Sequence, residues 1–130
     1  MKSIKVVAAI IERDGRVLAT QRGYGDMKGG WEFPGGKVEQ GETSEQAVKR
    51  EIEEELETEI NVGRLVVDVN HDYPTFHLDM DCFLCTIADG TITLTEHSAA
   101  KWLDAEHLRS VSWLPADVKV VDAIEAQSIL

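Results

Sequence analysis

The chain reads as an α+β protein, with a mixed or antiparallel β-sheet flanked by helices in three layers, α/β/α. Three observations predict this. An apolar, β-branched run, an Asp-Gly turn and a second apolar run open the chain and make a β-hairpin. One capped, amphipathic helix follows. Beyond it strands succeed strands, and helical patterns return only near the C-terminus. Regular strand–helix–strand alternation, the mark of a doubly wound parallel sheet, is absent.

Lys5 to Ile11 is apolar and β-branched, a central strand. Glu12 to Arg16, "ERDGR", supplies the turn, and "VLATQR" returns as the second strand. Gly23 to Gly30 is a glycine-rich loop. "WEFPGG" is a short extended piece, because Phe33 precedes Pro34 and is pushed away from helix. Thr43 to about Glu57 is the first helix. Thr43 and Gln46 form a capping-box pair, Glu42 and Glu45 suit the positive end of the dipole, and Val48, Ile52 and Leu56 make the core-facing stripe. Glu59 to Val69 and Thr75 to Ile87 are two further strands. The second alternates Phe76, Leu78, Met80, Cys82 and Leu84 with His77, Asp79 and Asp81. "ADGT" is a turn, "TITLT" a short strand and "AAKWL" one more. "DAEHLRS", capped by Asp104, and Pro115 to about Ser128 read as helices.

A length of 130 residues suits one domain over 1–130. No apolar run reaches the roughly 18–20 residues that span a bilayer, and the first apolar run lacks the length and cleavage site of a signal peptide, so a cytoplasmic protein is expected. A net charge of −11 argues against a nucleic-acid polymer as partner, since phosphate backbones need clustered Lys and Arg. It is compatible with a small phosphate ligand that arrives with a divalent ion. Cys82 and Cys85 stand three apart in a strand, face opposite sides and have no second Cys pair, so they are expected to be reduced core residues.

Seven glutamates lie between Glu42 and Glu57. Glu51, Glu54 and Glu55, at i, i+3 and i+4, converge on one patch of the helix. A solvated acidic face accounts for that spacing, and so does a hard divalent cation such as Mg²⁺ or Mn²⁺. Arg50 is placed to bridge neighbouring carboxylates as a rigid fork. The preceding "PGGKVEQGE" adds glycines where a loop packs tightly and exposes backbone groups, which favours the cation.

This segment resembles the signature of the Nudix hydrolases: Gly36, five residues, Glu42, seven residues, then Arg50-Glu51-Ile52-Glu53-Glu54-Glu55. The resemblance implies a Nudix fold and hydrolysis of a nucleoside diphosphate linked to another group, with Mg²⁺ or possibly Mn²⁺. It implies that Glu51, Glu54 and Glu55 are metal ligands joined by the Gly35 carbonyl, and that Glu42 and Arg50 orient them. Glu54, Glu55 or Glu96 is the implied base, Glu96 resembling a loop glutamate of the MutT-like subgroup that also reaches the metal. The chain departs from the pattern at Glu57, where glycine is usual, and at Thr58, where an aliphatic is usual. These touch the helix end and not the ligands.

Short length, "WEFPGGKVE", "EHSAAKWL" and "LPADVKVV" resemble MutT-type nucleoside triphosphate pyrophosphohydrolases, which give NMP and pyrophosphate. An 8-oxo-dGTP diphosphatase-like role in nucleotide-pool sanitation and DNA repair is the first expectation, and a CTP or 5-methyl-dCTP pyrophosphohydrolase the alternative. Arg22 is a candidate for phosphate or sugar, and Phe33 and Phe76 for stacking on a base, with core packing the competing role of both aromatics. Asp117 is the candidate base reader: ionised it suits guanine, protonated it suits cytosine. A helix-start aspartate is the plainer account of it. Hydrolases of other nucleoside diphosphate derivatives and a silent Nudix-fold sensor are further alternatives, although sensors usually lose box glutamates. The alternating Asp/Asn pattern of an EF-hand is missing. The histidines lack metal-ligand spacing, His97 beside Glu96 being the one placed to line a pocket. Monomer and homodimer both remain open.

Overall fold

A computed structural model describes Met1–Leu130. The strands are β1 (Lys2–Arg13), β2 (Arg16–Arg22), β3 (Trp31–Glu32), β4 (Gly35–Lys37), β5 (Glu59–Asp72), β6 (Phe76–Asp89) and β7 (His97–Leu103). The helices are α1 (Ser44–Leu56) and α2 (Pro115–Ala126), with one 3-10 turn at Ala105–His107. The sheet is mixed: β1 runs parallel to β6, with Val6 opposite Met80 and Ala8 opposite Cys82, and its other pairings are antiparallel.

The two faces of β1 explain the layers. Ala8 and Ile10 pack with Val120, Val121 and Ile124 of α2, while Val7, Ala9 and Ile11 pack with Val48, Ile52 and Leu56 of α1. Strand period two thus sends alternate residues into two separate cores. Cys82 joins the first and Cys85 the second, both reduced, as their spacing requires. In the first hairpin Asp14 and Gly15 both take positive φ, 53° and 75°, the geometry of a two-residue turn that matches strand twist.

Helix α1 starts on the expected capping box, Thr43 and Gln46 bonding reciprocally. It ends at Glu57, which adopts the left-handed conformation itself, φ 51° and ψ 38°. The usual glycine geometry is therefore kept by a residue that pays a steric cost of about 1 kcal/mol for it. Thr58 is buried, and its hydroxyl donates to the Leu56 carbonyl at 2.9 Å, so a β-branched polar residue fills an apolar position without an orphaned group.

Two expected elements differ. "TITLT" is not a strand. Its donors go to the end of α1 instead: Thr93 N–H to Leu56 O at 2.9 Å, Thr95 N–H to Glu55 O at 3.3 Å and the Thr95 hydroxyl to Glu55 O at 2.9 Å. The free carbonyls of a helix C-terminus outcompete a sheet edge for that segment. "DAEHLRS" is only the 3-10 turn. Asp104 caps it, but Ser110 and Trp113 side chains take the His107 and Leu108 carbonyls at 2.6 and 2.7 Å, which stops propagation. Helix α2 also ends at Ala126, two residues early. No helix is long and apolar enough to cross a membrane.

Candidate active site

A cleft of about 660 Å³ opens where β3, β4, α1, the β5–β6 turn and the start of α2 meet. Antiparallel pairing puts Gly36 opposite Val7 and Gly35 opposite Ala8, and α1 crosses this strand. A Cβ on Gly36 would overlap the Glu51 carboxylate, and one on Gly35 would overlap the Val7 carbonyl. Both glycines are present because backbone and carboxylate approach too closely for any side chain.

Arg50 organises the acidic residues. Its Nε and Nη2 donate to the two oxygens of Glu42 at 2.7 and 2.9 Å, its Nη1 to Glu51 at 2.8 Å and Glu54 at 3.1 Å, and Nη2 also to the Lys37 carbonyl at 3.1 Å. Hydrogen bonds from Arg50, then from the Glu39 backbone, hold the Glu42 carboxyl down at about 2. A lysine has no fork with which to make this set. Glu51 is thereby fixed, facing the cleft.

Glu55 lies one turn further along, largely buried. Its Oε2 is out of contact with solvent and has no hydrogen-bond partner. Burial first, then the charges of Glu51, Glu32 and Glu96, push its carboxyl up to about 8. A buried oxygen without a donor beside three other acidic residues is a costly arrangement that a cation would relieve. Glu96 and Gly35 line the same cleft. Glu54 does not; it is 61% exposed and its carboxylate rests on Arg50 at the helix surface. Of the expected ligands the fold thus brings Gly35, Glu51, Glu55 and Glu96 together and leaves Glu54 outside. A tighter carboxylate group, Asp68, Asp79 and Asp81, lies away from the cleft. Lys5 bridges two of its members at 3.1 and 3.0 Å, and a hydrogen bond with Asp79 followed by burial pushes Asp68 up to about 6.

Arg22 reaches the cleft through a residue not singled out from the sequence. Glu32 Oε1 accepts Arg22 Nε at 3.2 Å and Nη2 at 2.8 Å, and its Oε2 lies 3.4 Å from His97 Nε2. Burial opposes the charge on Glu32, but the bonds from His97 and Arg22 prevail and hold its carboxyl below the ordinary value. The His97 ring is 6% exposed, with Nδ1 buried and unpartnered. A charge inside a short extended apolar piece, "WEF", was the available signal for Glu32.

The remaining candidates divide. Phe33 is 3% exposed and its ring stacks on Trp113 at 4.6 Å, so it packs into the core while also lining the cleft. Its N–H donates to Asp117 Oδ1 at 2.9 Å. Burial, against that hydrogen bond, pushes the Asp117 carboxyl up to about 8. Phe76 is half-buried, lines the cleft and stacks on Tyr73 at 5.1 Å. Tyr24, Met27 and Tyr73 complete the wall and were not anticipated.

Comparison with known proteins agrees with this geometry. The family model of the NUDIX domain matches residues 6–123. The CTP pyrophosphohydrolase of Escherichia coli (strain K12) is 39% identical over 127 residues, 97% of this chain and 94% of that protein. The 8-oxo-dGTP diphosphatase of Haemophilus influenzae is 35% identical over 122 residues, 92% and 90% of the two chains. The solution structure of the E. coli ORF135 protein superposes with a TM-score of 0.85 at 38% identity, covering 98% of this chain and 92% of that one. With the domain model spanning most of the sequence and the glycine loop, Arg50 fork and acidic helix folded into one cleft, the chain belongs to the Nudix family.

Proposed function

We propose that the protein is a divalent-metal-dependent pyrophosphohydrolase of nucleoside triphosphates, releasing NMP and pyrophosphate. The observation that carries this is Glu55 Oε2, buried and unpartnered among Glu51, Glu32 and Glu96 at the mouth of the glycine loop. That donor set is all carboxylate and carbonyl oxygen, which fits Mg²⁺, with Mn²⁺ the second choice. Glu51, Glu55, Glu96 and the Gly35 carbonyl would hold it. When bound, such an ion neutralises phosphate oxygens, acidifies a water and steadies the pyrophosphate leaving group.

The chain's own groups do the rest. Glu42 and Arg50 keep Glu51 in one orientation. Glu55, its carboxyl pushed up to about 8, is held protonated at neutral pH and would release that proton to solvent on taking up a cation. Glu54, exposed and held by a single bond to Arg50, is free to swing inward as a ligand or as the base that takes the water proton. Arg22, clamped on Glu32, and Lys37 place positive charge where triphosphate oxygens would lie.

The base class follows from Asp117. Its carboxyl, pushed up to about 8 by burial, carries a proton at neutral pH and offers both a donor and an acceptor, which suits cytosine. The 39% identical relative named a CTP pyrophosphohydrolase supports that choice. The oxidised-guanine reading stands second, supported by the relatives named 8-oxo-dGTP diphosphatase. Pyrophosphate release measured with Mg²⁺ and with Mn²⁺ across CTP, dCTP, 5-methyl-dCTP, dGTP, 8-oxo-dGTP and ADP-ribose tests both levels. The expected result is fastest release from a cytosine nucleotide. Release from none of the triphosphates would overturn the activity, and preference for 8-oxo-dGTP would reverse the base assignment.

A further inference from the structure

Tyr73 lies in the turn between β5 and β6, where its N–H donates to the Phe76 carbonyl at 2.9 Å and closes the hairpin. Its ring stacks on Phe76 at 5.1 Å and meets His71 edge-on at 4.6 Å, two contacts that fix where the phenol points. The hydroxyl oxygen accepts the Ala116 N–H at 3.2 Å. Leu114, the N-cap of α2, makes no side-chain bond, so Tyr73 supplies from another element the acceptor that this helix start lacks. The Ala116 bond is the only one the hydroxyl makes, and it uses the oxygen; the hydrogen remains a free donor.

Asp117 follows Ala116 directly, and both Tyr73 and Asp117 line the cleft at the end of the apolar wall formed by Phe76, Leu78 and Met80. A phenol donor and a carboxyl group therefore stand side by side. Asp117 Oδ1 keeps one lone pair beyond the one used by Phe33 N–H.

Resting on the nucleotide reading above, we propose that Tyr73 is a specificity-determining residue whose hydroxyl donates to O2 of a cytosine while Asp117 spans N3 and the N4 amine. Cytosine presents donor, acceptor, acceptor along this edge, and the pair presents acceptor, donor, donor. Uracil has the same shape but presents acceptor, donor, acceptor, so its N3–H meets the Asp117 hydroxyl and its O4 meets an acceptor. Guanine likewise sets N1–H against the Asp117 hydroxyl and its 2-amino group against the Tyr73 hydroxyl, so Asp117 separates cytosine from uracil and Tyr73 separates both pyrimidines from guanine. Leaving buried polar groups opposed in this way is what separates isosteric bases in a pocket.

The test is Tyr73→Phe, which keeps the stacked ring and removes the hydroxyl. KM and kcat are measured for CTP, UTP and GTP, inorganic tripolyphosphate is used as a competitive inhibitor, and the melting temperature is recorded. The expected result is a KM raised about tenfold for CTP and UTP alike and not raised for GTP, so that a CTP-over-GTP preference falls about tenfold, with kcat within about twofold and an unchanged inhibition constant for tripolyphosphate. A lower melting temperature with CTP, UTP and GTP weakened alike would show a helix cap and nothing more, and would overturn the proposal. On the unaltered chain 2-thio-CTP, whose sulfur accepts poorly, is expected to lose a similar factor; equal use of CTP and 2-thio-CTP also overturns it, whether or not Y73F folds. If the unaltered chain releases pyrophosphate from no nucleoside triphosphate with Mg²⁺ or Mn²⁺, the nucleotide reading itself fails. Hydrolysis with an unaltered CTP/GTP ranking in Y73F defeats only the role given to Tyr73.

Discussion

Glu55→Gln separates the cost of the acidic cleft from its use. In the metal-free protein the Glu55 carboxyl moves from the ordinary 4.5 to about 8, through burial and then the charges of Glu51, Glu32 and Glu96. The native state therefore binds more protons than the unfolded state between those values, so this group's contribution is intact at low pH and is lost as pH rises through about 8. At about 1.4 kcal/mol for each pH step the ceiling is about 5 kcal/mol. Water entering the open cleft screens the charge, which leaves about 2 kcal/mol. Gln keeps the shape and removes the charge. The assay is thermal unfolding in chelator near pH 5 and near pH 9. The variant should match the parent within about 0.5 kcal/mol at the lower pH and exceed it by about 2 kcal/mol at the higher, roughly 6–10 °C for a chain of this size. Asp117, also pushed up to about 8, titrates in both proteins and cancels in the difference. Added Mg²⁺ should stabilise the parent at the higher pH and the variant far less. Parallel loss of stability in both proteins between the two pH values would refute the reasoning, because it would mean that Glu55 ionises freely in the folded state.

Glu54→Gln should lower turnover by about tenfold or more while the melting temperature in chelator stays within a few degrees, since the side chain is exposed; normal turnover would remove Glu54 from the chemistry. Asp117→Asn should change the ranking of cytosine over guanine triphosphates more than it changes kcat on either, read from a substrate panel; equal losses across bases would leave Asp117 as the holder of the Phe33 N–H alone. Glu57→Gly should raise stability by about 0.5–1 kcal/mol by relieving the left-handed backbone at φ 51°, measured by denaturant unfolding, and leave turnover unchanged.

What could be read from the sequence was mostly local. Helix α1 carries its own start signal in Thr43 and Gln46 and its own stripe in Val48, Ile52 and Leu56, so neither depends on the rest of the chain. The spacing of Cys82 and Cys85 already separated them onto two faces. Thr91 to Thr95 misled because its alternation is a strand signal, whereas its hydrogen-bond partners are carbonyls of a helix more than thirty residues earlier. The Arg22–Glu32–His97 set was equally out of reach, since it needs β2 paired with β3 on one side and β7 on the other. Side-chain direction at the box was legible only in part. Helical spacing put Glu51, Glu54 and Glu55 on one patch, but Glu54 rests outward on the Arg50 fork while Glu55 turns into the cleft.

The bonds from Thr93 and Thr95 to the last carbonyls of α1 have a mechanical consequence. Glu96 follows Thr95 directly, so the loop that carries it is stapled to the same rod that bears Glu51 and Glu55. A shift of α1 would therefore carry all three acids together. Gly23 presses on the same loop, leaving no room for a Cβ against the Glu96 carbonyl, so a side chain introduced there should push Glu96 out of line with Glu51 and Glu55.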